Sequence, residues 1–121
     1  MVQKVVAGAL VVGIVAAAFA FAQTTADMEK DAGAALEKAD AELNKVYKQL
    51  RETLTEEEQA RLKEVQKLWI TFRDKEAEFA ASLYEGGSIA GMVKVNTMTT
   101  ATEARVQGLK NLFLEGYPEG Q

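Results

Sequence analysis

The chain has 121 residues, with 14 Lys and Arg against 18 Asp and Glu, no His, no Cys, one Pro and a formal net charge of −4. Without His or Cys it cannot build an ordinary zinc site, a haem ligand set, a thiol nucleophile, a disulfide or a Ser-His-Asp triad. Its positive charges are interleaved with negative ones rather than clustered, which disfavours nucleic acid as a partner.

In chain order, the first segment is the most biased. Eighteen of the first 22 residues are apolar, and no charge falls between Val5 and Ala26. A weakly positive start, an apolar run and the small-x-small ending Ala20-Phe21-Ala22 predict a signal peptide over 1–22, cleaved after Ala22 so that the mature chain begins at Gln23. The alternative is an uncleaved anchor, because the uncharged run could span a hydrocarbon core of ~30 Å at ~1.5 Å per residue. A lipid anchor on cysteine is excluded, since there is none. Either reading places the folded part outside the cytoplasm, periplasmic or secreted, with membrane contact only if the segment is retained. The remaining 99 residues, 23–121, hold 40 apolar, 13 basic and 18 acidic side chains, enough for one small domain stabilised by helix packing alone.

From Asp27 to Leu54 the apolar residues Leu36, Ala39, Leu43, Val46 and Leu50 step by three and four, with Tyr47 beside them, which predicts an amphipathic helix. Asp27, Glu29 and Asp31 are expected in its first turns, where negative charge complements free amides. Thr55-Glu56-Glu57-Glu58 reads as a capping box that opens a second helix. Its predicted apolar face is Leu62, Val65, Trp69, Phe72, Phe79 and Leu83, widened by Leu68 and Ala80. Tyr84-Glu85-Gly86-Gly87-Ser88 ends it, and Ser88 is expected to cap the next helix. The third helix takes Ile89, Met92, Asn96, Thr99, Val106, Leu109 and Phe113 as its face, although Val93 to Thr102 is rich in β-branched residues. A helix is still expected there, because a strand would find no partner strand. Gly116 and Pro118 end it. The expected fold is therefore all-α, three long antiparallel helices in a hairpin or bundle after the N-terminal signal helix.

Two stretches carry more than periodicity. Ala39-Asp40-Ala41-Glu42-Leu43-Asn44-Lys45-Val46-Tyr47 and, further on, Gln66-Lys67-Leu68-Trp69-Ile70-Thr71-Phe72-Arg73-Asp74 resemble the patterns AD-x-x-LN-x-x-Y and Q-x-x-W-I-x-[FY]-RD of the LprI lysozyme-inhibitor family. The Gly86-Gly87 loop and the last-helix residues Thr102 and Arg105 extend the resemblance over about Asp31 to Leu112. It implies a small exported helical protein, non-catalytic, in a family whose named member inhibits lysozyme, and so a protein partner, with a basic lysozyme as the candidate. Relatives commonly carry cysteines that align near Asp31, Ala77 and Thr97, so this chain resembles a cysteine-free variant of the family.

Several groups are candidates for function. Asp40, Asn44, Gln66, Arg73 and Asp74 should lie next to the apolar seam, Arg73 pairing with Asp40 or Asp74 while Asn44 and Gln66 bridge the rest. Tyr47 can send its hydroxyl to the same place. The favoured reading is a polar clasp that fixes helix register, the other a recognition patch. Trp69 and Phe72 are read as core rather than as interface anchors. The loop Tyr84, Glu85, Gly86, Gly87 and Ser88 is the candidate partner-binding segment, an exposed tip with a carboxylate to offer a cationic cleft. The pairs Glu76 with Glu78 and Asp74 with Glu78 lack the cleft that a glycosidase needs, and Ser88 with Lys94 is at most a chance dyad. No catalytic residue, metal or cofactor is expected. The expected function is that of an exported binding protein that blocks a basic muramidase by bulk and charge. The alternative is a structural or adaptor protein of the envelope that binds another protein through a helix face.

Overall fold

The computed structural model describes the backbone of residues 2–116 and the side chains of residues 25–116. The side chains of 1–24 lie outside the described residues, and with them the signal segment 1–22 and its expected cleavage after Ala22. Packing divides the chain into two units, Met1–Asp31 and Ala32–Gln121. The second carries the core and every candidate residue above.

Three helices, α1 (Val2–Glu52), α2 (Glu56–Ser82) and α3 (Ala90–Leu109), are followed by one π-helical turn, Lys110–Leu114, and there is no strand among the described residues. The all-α expectation holds. One detail of α1 does not: it has no start at Asp27, so Asp27, Glu29 and Asp31 do not complement a helix N-terminus. No Gly or Pro between Phe21 and Asp31 interrupts the helix there.

The α1–α2 corner is tight and fully hydrogen-bonded. Thr55 accepts from the Glu58 amide at 3.2 Å, and the Glu58 carboxylate accepts from the Thr55 amide at 3.0 Å, the expected capping box. Gln59 Nε2 donates to the carbonyls of Arg51 and Leu54, both at 3.1 Å, and so absorbs acceptors freed by the end of α1.

At the other end of α2, Gly86 adopts φ +82°, a conformation that other residues rarely hold. A Cβ on Gly87 would stand 3.1 Å from the Tyr84 carbonyl, to which the Gly87 amide donates at 2.9 Å. These two positions explain the double glycine. Ser88 does not cap α3: the cap position is Ile89, which makes no side-chain cap bond. α3 is continuous through Val93 to Thr102, as expected. The hydroxyls of Thr97, Thr99 and Thr102 donate to the carbonyls four residues back, of Val93, Val95 and Met98, at 2.7–3.0 Å, so the polar end of each β-branched side chain is satisfied inside the helix. The π turn, in which the Glu115 amide donates to Lys110, was not foreseen, and Gly116 at φ +79° closes it.

The core joins Leu43, Val46 and Leu50 of α1 to Val106 and Leu109 of α3, with Leu54, Leu62, Trp69 and Leu114 packed against it. Cross-helix bonds fix direction: Arg73 meets Thr102 while Gln66 meets Arg105, and beyond the short turn between Glu52 and Glu56 Arg73 comes back to meet Asp40. Thus α2 runs antiparallel to both neighbours. On α2 the expected apolar face is right at Leu62, Trp69 and Ala80 and wrong at the rest. Val65, Leu68, Phe72, Phe79 and Leu83 are exposed, as are Ile89 and Phe113 further on. The inward residues of α2 are Leu62, Gln66, Trp69, Arg73, Ala77 and Ala80. Two helical stripes of similar spacing coexist on α2, and the one with more polar atoms is buried because α1 and α3 supply partners for those atoms.

Candidate interaction site

Because Gln66, Trp69, Arg73 and Ala77 are spaced by three, four and four residues, α2 presents them as one row toward its neighbours. Arg73 is the hub, with a side chain only 12% exposed. Its Nε donates to Asp74 Oδ1 at 3.0 Å, its Nη2 forms an ion pair with the same oxygen at 3.0 Å, and its Nη1 reaches Asp40 Oδ1 on α1 at 3.3 Å and Thr102 Oγ1 on α3 at 3.4 Å. One guanidinium therefore touches all three helices, a geometry that its planar five-donor fork permits and a lysine could not copy.

A second arginine completes the cluster. Arg105 Nε donates to Gln66 Oε1 at 3.1 Å, and both guanidiniums stand over the Trp69 ring, Arg73 at 5.3 Å and Arg105 at 5.9 Å from its centre. Burial pushes the Arg105 guanidinium below its ordinary value, and its Nη2 is the one buried side-chain nitrogen or oxygen without a hydrogen-bond partner among the described residues. The indole face supplies part of the electrostatic compensation that a missing acceptor would otherwise provide.

Of the sequence candidates, Asp40, Gln66, Trp69, Arg73 and Asp74 come together. Asn44 and Tyr47 do not join them by hydrogen bonds; they line a shallow cleft of about 310 Å³ between α1 and α2 whose far wall is Gln66, Trp69, Ile70 and Arg73. Phe72 is solvent-facing rather than core. Sequence reasoning left Arg105 and Thr102 out of the cluster. Their Thr-x-x-Arg spacing on α3 was the available signal, but it becomes meaningful only once α3 is seen to run antiparallel to α2.

The loop Tyr84–Ser88 is exposed throughout and stands three helical turns beyond Arg73, so the loop and the cluster are separate features. Glu85 is exposed at its tip. Elsewhere, Glu42 accepts from Lys110 Nζ at 3.1 Å, and this hydrogen bond and charge hold its carboxyl below the ordinary glutamate value. Glu58 is lowered too, by the Thr55 amide it caps. Among the described residues no group of His, Cys, Asp and Glu could hold a metal ion.

With this geometry in view, the family comparison is decisive. The model of the lysozyme inhibitor LprI family matches residues 17–109. The chain belongs to the LprI family. No curated protein and no solved structure matches it. The match covers most of the chain and contains the entire Arg73–Trp69–Arg105 cluster. LprI is a family of inhibitors rather than of catalysts. This member has no cysteine at all, and side-chain bonds from Arg73, Gln66 and Lys110 tie its helices together.

Proposed function

We propose that this LprI-family protein is an exported inhibitor that binds a cationic lysozyme and blocks its sugar-binding cleft without chemistry of its own. The family match carries the reading. Two features of the chain support it. The net charge of −4, which becomes −5 if Lys4 leaves with the signal segment, attracts a basic enzyme and raises its association rate. The exposed Tyr84–Ser88 segment joins α2 to α3 and carries the Glu85 carboxylate beside the small Gly86 and Gly87. In this reading the tip enters the cleft, and the Arg73 cluster keeps α2 and α3 in the register that holds the tip in shape.

The direct test is turbidity loss of a cell-wall suspension by lysozyme in the presence of the exported protein. Micromolar protein should slow lysis, and the effect should weaken as salt rises above about 0.1 M. Glu85→Lys should weaken inhibition by about tenfold with an unaltered fold, chiefly by slowing association. Failure to inhibit any lysozyme type at low salt would refute the reading, and an unchanged Glu85→Lys would remove the tip from it.

A further inference from the structure

Five of the eight α2 residues that sequence periodicity assigned to the core lie in solvent. Val65, Leu68, Phe72, Phe79 and Leu83 are each between 51% and 73% exposed. Their spacing of three, four, seven and four residues places them on one line along α2, the pattern by which one helix packs lengthwise on another. Scattered exposed apolar residues are ordinary, but five on one helix face, two of them aromatic and broken only at Glu76, are not.

Beside the ridge runs a groove. Glu76, on α2 between Phe72 and Phe79, shares with Val93, Thr97, Thr100 and Ala101 of α3 a cavity of about 430 Å³. Large side chains therefore stand next to a trough floored by small ones, on the same side of the molecule. We infer that this face is the interface of a two-fold symmetric homodimer, in which the ridge of each copy lies against the ridge and groove of the other.

Two arguments select a second copy as the occupant. A ridge adjoining a matching groove is self-complementary, the condition for an isologous contact that closes after two subunits. The five side chains at these exposures leave roughly 500–600 Å² per copy, and two copies together pass the ~1,000 Å² that a specific interface needs. The inference does not depend on lysozyme binding.

Sedimentation of the exported protein tests it. A dimer mass is expected at micromolar concentration, and Phe72→Glu, at a position the monomer leaves exposed, should weaken association at least tenfold while leaving the helical circular dichroism intact. Because the chain has no cysteine, single substitutions read proximity cleanly: Lys75→Cys should be joined by a short bis-maleimide, and Lys48→Cys, on α1, should not. A monomer mass at about 100 μM would overturn the inference, as would a dimer indifferent to Phe72→Glu. A monomer whose lysozyme inhibition disappears in Phe72→Glu would also overturn it and would give this face to the enzyme instead, an outcome distinct from failure of inhibition altogether.

Discussion

Trp69 and its two arginines show how single residues gain meaning from their neighbours. Among the described residues Gln66 is the only hydrogen-bond partner of the Arg105 guanidinium, and Arg105 already has one buried nitrogen unpaired. Gln66→Leu should therefore cost about 2 kcal/mol in urea unfolding, the penalty for leaving a buried charged donor unsatisfied. Asn44→Ala, at an exposed motif position without a hydrogen bond, should stay within about 0.5 kcal/mol of the parent. Equal losses at the two sites would show that the cluster does not work as described. Asp40, Arg73 and Asp74 were legible in the sequence because opposite charges stood next to an apolar row. The orphaned Arg105 was not, since nothing local distinguishes it from a solvated arginine.

At the scale of elements, helix boundaries follow local chemistry closely where a side chain or a glycine enforces them. The Thr55–Glu58 box starts α2 as its residues require, and Gly86 takes the left-handed turn that a double glycine announces. Gly86→Ala should destabilise by about 1–2 kcal/mol, because a Cβ is disfavoured at φ +82° even though no atom stands in its way. Gly91→Ala, within α3 and facing open space, should instead stabilise by up to about 1 kcal/mol. Thermal melts of the two variants should therefore move in opposite directions. Where local chemistry is permissive, the sequence misleads: Ser88 is a good cap residue that the chain does not use, and the apolar ridge of α2 matches a core pattern that no neighbouring helix covers.

Across the whole molecule, two surface carboxylates link stability to acidity. Glu42 joins α1 to the end of α3 through Lys110, and Glu58 caps α2. Both carboxyls sit below the ordinary value of 4.5, Glu42 through its bond and charge contact with Lys110 and Glu58 through the Thr55 amide. A carboxyl depressed by folding adds stability above its unfolded value and loses it as pH falls through the folded one. The melting temperature should accordingly hold steady above pH 4.5 and decline below it, and the double variant Glu42→Gln with Glu58→Gln should start lower and show a shallower decline. An identical acid slope in that variant would assign the decline to other groups. Both sites are solvent-exposed, so salt should blunt the effect.

The sequence by itself determined that the chain is helical, that a second helix opens at Thr55 and ends at Gly86–Gly87, and that its motifs belong to a family of inhibitors. Those features rest on local backbone preference, on caps within four residues, and on strings of residues read in order. Tertiary structure alone decided which of two helical stripes on α2 is buried. Periodicity ranks faces by apolar content, whereas burial also depends on which polar atoms find partners across the helices. Here Asp40, Thr102 and Arg105 satisfy Arg73 and Gln66, so the more polar stripe turns inward and the phenylalanines remain outside.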